Sequence, residues 1–291
     1  MSVILSASRR TDIPAFYMDW FMERIGKGCF ELVNPYNGRM TRVGCKPEDV
    51  HSIVFWSKNF GPFIEGEFDT RLADAGYRMF FQFTVNPEHP VLEPRVPPLR
   101  TRIDQMAYLI RRFGAAGVVW RFDPICIGTD PNGVCFRTSD AFGAMAERMA
   151  AVGVQTCTFS FLDLYPKVIR RSAAKGVCWI DPEPAQRIAI ASEMALMAGR
   201  FGIRLQACCE MDLLKALPKD VPITQASCIP APLLVELYGE GCPMLPDKGQ
   251  RRNKGCGCYL SRDIGSYKDH PCSHGCLFCY ANPFSQQPDS V

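Results

Sequence analysis

The feature that most narrows the fold is a repeated alternation. Short apolar runs recur at 3–7, 52–56, 79–85, 118–122, 156–161, 204–207 and 223–227. They are continuous rather than apolar at every second residue, which is the character of parallel strands buried on both faces. Helical stripes lie between them. In 102–113 the residues Ile103, Met106, Ala107, Ile110 and Phe113 share one helical face. Phe142, Met145 and Met149 repeat the spacing, and so do Ile188, Ala191, Met194 and Ala198. Pro14 and Pro184 stand where a first helical turn accepts proline. Strand–helix–strand repetition predicts a parallel α/β sheet. Six or seven such units predict a TIM-like (β/α) barrel or partial barrel rather than a doubly wound sheet. The Pro-rich segment from Glu93 to Pro98 reads as a surface loop. After Leu237 the periodicity stops and Gly, Pro, Cys and charged residues take over. The chain is therefore expected to divide into a barrel-like domain over 1–237 and a cysteine-rich, cluster-binding element over 238–291, folded over the barrel mouth.

Composition decides how the cysteines are to be read. With 47% apolar and 22% charged residues the 291-residue chain has the balance of an ordinary folded protein, which excludes disordered, collagenous and coiled-coil classes. A net charge of +3 neither demands nor excludes a polyanionic partner. Of 15 cysteines, nine follow residue 207. A disulfide framework would need an oxidising compartment and an export signal. Ser8-Arg9-Arg10 has the look of a twin-arginine signal, but Asp12 and Pro14 fall where its apolar region should begin. No stretch approaches the roughly 20 apolar residues of a membrane helix. The expectation is a cytoplasmic protein without a membrane partner, its thiols reduced and available to metal.

The residues just past the strand ends are polar. They are Ser8 to Asp12, then Ser57-Lys58-Asn59, Asn86, Arg121 and Asp123 before Pro124, Asp163 with Tyr165, and Cys208-Cys209-Glu210. Gln82 and Thr84 add polar groups inside a strand. Barrel active sites form at the C-terminal strand ends, where the loops converge. Polar residues also begin wherever a strand leaves the core. Arg121 and Asp123, however, interrupt an apolar run, where unpaired charge is costly.

The strongest motif is Cys272-x3-Cys276-x2-Cys279, with Phe278 before the third cysteine. Three thiolates on one short loop can hold three irons of a [4Fe–4S] cubane. The fourth iron is left open for the amino and carboxylate groups of a small molecule such as S-adenosylmethionine. The competing reading is a structural zinc site completed by His270 or His274. A second thiolate set is available in Cys256-Gly257-Cys258 together with Cys228 and either Cys208 or Cys209, enough for another iron–sulfur cluster or a zinc ion. Cys29, Cys45, Cys126, Cys135, Cys157 and Cys178 are scattered and read as structural.

Cys272, Cys276, Phe278 and Cys279 resemble the cluster motif of radical S-adenosylmethionine enzymes. The stretch Ser261-Arg262-Asp263-Ile264-Gly265-Ser266-Tyr267, with Cys279-Tyr280-Ala281, is similar to the spore photoproduct lyase branch. The whole chain resembles the uncharacterised domain-of-unknown-function 1848 family. Ser6 to Pro14, Phe55 to Asn59, Trp120 to Pro124, and Gln250-Arg251 with Cys256-Gly257-Cys258 are the segments that carry this likeness. The radical-enzyme resemblance implies a cluster on Cys272, Cys276 and Cys279, S-adenosylmethionine as cofactor, and an external donor of the ferredoxin or flavodoxin type. The substrate, a small molecule or a nucleic acid, is not identified. Arg121, Asp123 and Tyr165 are then the candidate catalytic residues. Arg9, Arg10, Asp12, Lys58, Asp163 and Glu210 are candidates for cofactor binding. Arg9, Arg10, Lys58 and Arg121 would face an anionic group; Asp123, Asp163 and Glu210 would face ribose hydroxyls or the methionyl amine. The chain departs from that family in placing the cluster loop near its end, with twelve residues after Cys279 and no Gly-Gly-Glu segment. A permuted arrangement would follow. The other expectations are an iron–sulfur or zinc module touching nucleic acid through the basic run 247–254, or an electron-transfer or redox-sensing protein.

Overall fold

Eight parallel strands form the main sheet of the computed structural model, which describes residues 2–33 and 38–281. They are β1 (Val3–Ala7), β2 (Val50–Ser57), β3 (Met79–Thr84), β4 (Val118–Ile125), β5 (Thr156–Phe161), β6 (Arg204–Ala207), β7 (Ile223–Gln225) and β8 (Arg262–Asp263). Their spatial order is β7-β6-β5-β4-β3-β2-β1-β8. All seven expected strands are present, each beside its sequence neighbour. The registers run Leu5 to Ile53, Ile53 to Met79, Phe81 to Val118, Trp120 to Cys157, Cys157 to Leu205 and Leu205 to Ile223. This is the order of an eight-strand barrel cut between β7 and β8. Among the described residues those two strands are the sheet edges, so the sheet is open.

The helices are α1 (Ile13–Phe16), α2 (Met18–Lys27), α3 (Gly61–Glu65), α4 (Phe68–Asp74), α5 (Leu99–Phe113), α6 (Phe142–Ala151), α7 (Pro166–Ala173), α8 (Pro184–Arg200), α9 (Met211–Ala216) and α10 (Ala231–Tyr238). The predicted stripes place three of them. α5 buries Ile103 and Met106 and adds Leu109, α6 buries Phe142, Met145 and Met149, and α8 buries Ala191, Met194 and Ala198. Pro184 opens α8 behind a capping box in which Glu183 and Gln186 satisfy each other's backbone N–H groups. Two small antiparallel sheets lie outside the main one. The first pairs Cys29–Val33 with Met40–Gly44; the second joins Ile127–Thr129, Cys135–Arg137 and Cys178–Trp179.

Alternate residues of a strand point to opposite faces, and the two faces here meet different partners. Leu5, Ile53, Phe55, Phe81, Val118, Trp120 and Leu205 pack with the helices into the larger core, where Trp120 stacks on Phe142 at 5.4 Å. Ile4, Val54, Phe80 and Val119 form the other face and pack against Ile229, Ala231 and Leu234 with Cys242, Cys256 and Cys258. In a closed barrel that inner face is filled by the strands' own side chains. Here α10 and the cysteine-rich element pack against it.

Tyr238 anchors α10, donating to the Met79 carbonyl at 2.5 Å. Burial pushes its phenol up to about 12, against roughly 10 in an unfolded chain. A raised folded value means stability that is complete below pH 10 and lost as pH rises toward 12. The Tyr238→Phe variant is expected to lose roughly 1 kcal/mol at neutral pH and to flatten that alkaline decline. Denaturant titrations at pH 7 and pH 11 check both.

Candidate functional site

Of the polar residues singled out, Ser8, Lys58, Gln82, Thr84, Arg121 and Asp123 fall on the inner face, while Ser57 shares the outer face of Phe55. Ser6 and Ser8 of the β1 end, Trp56 and Lys58, Gln82 and Thr84, Arg121 and Asp123, and Thr158 and Ser160 alternate with the outer-face core residues. Two groups of thiols sit at this end of the sheet.

The first comprises Cys272, Cys276 and Cys279. Cys276 is buried, while Cys272 and Cys279 are partly exposed. Leu277 and Phe278 sink into an apolar cluster with Leu92, Cys126 and Val177. The loop is tied down on every side. The Leu277 N–H donates to the Leu92 carbonyl at 3.0 Å. Arg171 from α7 donates to the carbonyls of Leu277 (2.5 Å) and Cys279 (2.6 Å). Tyr17 donates to the Pro271 carbonyl at 2.5 Å. Burial pushes all three thiols up, Cys272 to about 12, while Lys58 acts on each in the opposite sense. The Lys58 ammonium lies 5.1 Å from the Phe278 ring centre and 2.5 Å from Glu93 Oε1. Glu93 also accepts from Asn86 at 3.0 Å and stands 3.8 Å from Arg102. Burial works against the Glu93 charge, but Lys58 and Arg102 outweigh it and hold the carboxyl below its ordinary value. Glu93 thus corrects the surface-loop reading of 93–98: its backbone is in a loop, and its side chain is a buried counter-ion.

Both histidines near this loop are engaged elsewhere. His274 Nε2 is 2.7 Å from Asp12 Oδ2, which also accepts the Lys58 N–H at 2.9 Å; Asp12 Oδ1 caps α1 through Ala15 N at 3.0 Å. His270 packs between Tyr17 and Trp20, with its Nδ1 accepting from Ser266 N at 3.2 Å. Asp12 therefore orients the loop and the first helix.

The second group joins three segments. Cys208 and Cys209 follow β6, Cys228 follows β7, and Cys256 and Cys258 come from the C-terminal element. Cys208 Sγ is 3.5 Å from Cys228 Sγ and 3.9 Å from Cys209 Sγ. Cys256 and Cys258 pack in the same buried cluster as Cys208 and Cys228, with Cys209 against it. Hydrogen bonds from Cys208 and Cys256 pull the Cys209 thiol down to about 4. Cys209 adopts φ +60°, a left-handed conformation that non-glycine residues adopt at a cost. Gly257 lets the Cys-Gly-Cys backbone lie against β7, since a Cβ there would meet the Ala226 carbonyl oxygen at 2.7 Å.

Two buried guanidiniums face this group. Arg121 donates to Cys228 Sγ at 2.9 Å and to Asp123 Oδ2 through Nε at 3.1 Å and also through Nη2. Arg9 bonds Cys258. Their guanidinium carbons lie 5.4 and 5.5 Å from the Trp56 ring centre, favourable cation–π contacts. Burial opposes the charge on both arginines, but the thiol sulfurs and the acidic neighbours Asp123 and Asp263 outweigh it. A hydrogen bond lies between the two groups of cysteines: Tyr280, next to Cys279, donates to the Arg9 carbonyl at 2.7 Å.

The four cations expected to surround one anion are thus divided. Arg9 and Arg121 serve the second thiol group, Lys58 serves the first, and Arg10 turns away to the Gly265 carbonyl (3.1 Å) and the Tyr267 ring. Asp163 pairs with Arg251 and with Lys254 at 2.9 Å, so two cations of the basic run are engaged by this carboxylate at the surface. Tyr165 lies exposed beside those two cations. Glu210 accepts the Phe161 N–H at 2.8 Å and faces Arg187 at 3.5 Å; burial raises its carboxyl to about 7. Asp123 accepts from Ser160 at 2.5 Å. Sequence reasoning singled out Asn86 but missed Glu93, Arg102 and Arg171, whose roles depend on contacts between distant segments.

Among the described residues, no three His, Cys, Asp or Glu side chains stand arranged about one ion. The thiols of the second group are paired by S–H···S bonds, and metal binding requires such protons to leave. The donor sets nonetheless suit thiophilic metal: buried sulfurs, adjacent fixed cations and, at the first loop, histidines with other partners. A family model described as a domain of unknown function (DUF1848) matches residues 4–281. No curated protein matches the chain.

Proposed function

This chain belongs to the DUF1848 family, and we propose that it works as an iron–sulfur enzyme of the radical S-adenosylmethionine type. Cys272, Cys276 and Cys279 would hold a [4Fe–4S] cluster. Bound there and reduced by an external donor, the cluster supplies the electron that cleaves S-adenosylmethionine to methionine and a 5′-deoxyadenosyl radical. The observation that carries the reading is the setting of the three thiols. They share one tethered loop at the C-terminal strand ends, Lys58 acts on all three, and the nearby His274 is bonded to Asp12. That leaves three protein ligands on the loop, the number this chemistry needs.

The other residues then have defined tasks. Arg171 and Tyr17 fix the loop backbone through its carbonyls. Lys58, held by Glu93, offsets the thiolates' negative charge. Trp56, Thr84, Asp123 and Ser160 are half-buried on the inner face and offer an aromatic surface, hydroxyls and a carboxylate to a ligand in the mouth. The unidentified substrate would lie there.

Electron paramagnetic resonance tests the proposal on anaerobically purified, dithionite-reduced protein. The expected result is a reduced [4Fe–4S] signal that changes on adding S-adenosylmethionine. A signal indifferent to that ligand would leave electron transfer as the function. Zinc in place of iron would overturn the cluster itself.

A further inference from the structure

We infer that the chain carries a second thiolate metal centre, independent of the first, on Cys209, Cys228, Cys256 and Cys258. Four observations point to it. The sulfurs come from the ends of β6 and β7 and from the C-terminal element, segments that nothing else in the core requires to meet at cysteine. Their spacing suits shared coordination. Cys228, Cys256 and Cys258 share one buried cluster with Cys209 packed against it, and Cys209 Sγ and Cys228 Sγ both lie within 4 Å of the sulfur of the intervening Cys208, at 3.9 and 3.5 Å. A tetrahedral ion with metal–sulfur bonds of about 2.3 Å sets its ligands about 3.8 Å apart. The backbone is adapted to bring them together, with Cys209 held at φ +60° and Gly257 at a position where a Cβ would strike Ala226.

The fourth observation is charge. Four thiolates around a divalent ion, or around an oxidised [4Fe–4S] cluster, carry a doubly negative formal charge, and burying it requires compensation. Arg121 and Arg9 supply two fixed positive charges at Cys228 and Cys258. Two buried guanidiniums directed at neutral thiols would gain far less. Cys208 is left outside the ligand set: its S–H donates to Cys209, and its sulfur rests 3.5 Å from Cys228, where it steadies both. Arg251, paired with Asp163, stands on the open side near Cys209.

The same thiolate chemistry suits zinc or an iron–sulfur cluster, and analysis of the bound metal separates them. Zinc, iron and acid-labile sulfide are measured on anaerobically purified full-length protein, on Cys276→Ser, and on Cys228→Ser/Cys258→Ser. The Cys276→Ser protein is expected to lose the iron of the first loop and to retain the metal of the second centre. Zinc without sulfide in that fraction identifies a single ion; iron with matching sulfide identifies a cluster. The double variant is expected to show the reverse loss. A Cys276→Ser protein with only trace metal overturns the inference while leaving the radical-enzyme reading intact. A double variant with the full wild-type complement overturns it as well. Should the double variant fail to fold, cobalt titration of Cys276→Ser decides: thiolate-to-cobalt charge-transfer absorption is expected, and its absence overturns the second centre.

Discussion

Replacing Glu93 by alanine is expected to cost about 3–5 kcal/mol, the loss typical when one partner of a buried ion pair is removed. The reason is what stays behind. Lys58 is held 2.5 Å from the Glu93 carboxylate and Arg102 at 3.8 Å, and the Arg102 side chain is only 2% exposed. Without Glu93 both charges lose their nearest counter-ion, and Arg102 keeps the Asn86 carbonyl, at 3.0 Å, and the weaker pull of Glu88. Asn86 in turn loses an acceptor. Glu93→Gln preserves the shape and the hydrogen bonds from Lys58 and Asn86 but removes the charge, so it should cost less than alanine. The pH dependence separates charge from shape. Because the folded Glu93 value is depressed, its contribution is full above the unfolded value of roughly 4.3 and is lost as pH falls through the folded one. Both variants should therefore lose part of the acid-side decline of the parent. Denaturant midpoints between pH 3 and pH 7 measure this, and a loss below about 1 kcal/mol for alanine would mean that water reaches the pair and screens it.

The same residue shows where sequence reading stops. β1 to β5 were legible because each is a largely continuous apolar run, a pattern that burial on both faces imposes whatever the surroundings. β6 and β7, shorter and more polar, were legible from the repeat of strand and helix. β8 was not: it is two residues, Arg262 and Asp263, and becomes a strand only because Asp263 accepts from Ser6, Ser8 and the Arg9 N–H across β1. α10 carried no sign that it would lie inside the sheet, since an apolar helix reads alike on either face. Glu93 was hidden by the prolines beside it, and its partners lie in other units of the fold. Among the cysteines, the spacing of 272, 276 and 279 was enough to single out the first loop. Cys208 and Cys209 could not be told apart, because neighbouring residues in an extended segment point opposite ways. The left-handed turn at Cys209 lets both sulfurs join one group.

Loss of the first centre in Cys276→Ala is the other large effect expected, and a second cysteine supplies the contrast that makes it specific. Cys276 and Cys126 belong to the same small apolar cluster, and burial pushes both thiols well above their ordinary value. As packing residues they are equivalent: a buried cysteine behaves as a small hydrophobe, and trimming either to alanine should cost on the order of 1 kcal/mol. Their surroundings differ in what faces the sulfur. Lys58 leads the influences that lower Cys276, with Cys272 and Cys279 acting on it as well, whereas the leading charged influences on Cys126 are Glu93, Lys58 and Asp123. If Cys276 is a ligand, its alanine variant keeps the fold and loses the iron of that loop with the associated paramagnetic signal, while Cys126→Ala keeps both. Circular dichroism establishes the fold of each variant and iron analysis reads the outcome. Equal iron in the two variants would show that Cys276 only packs, and the radical-enzyme reading of this family member would go with it.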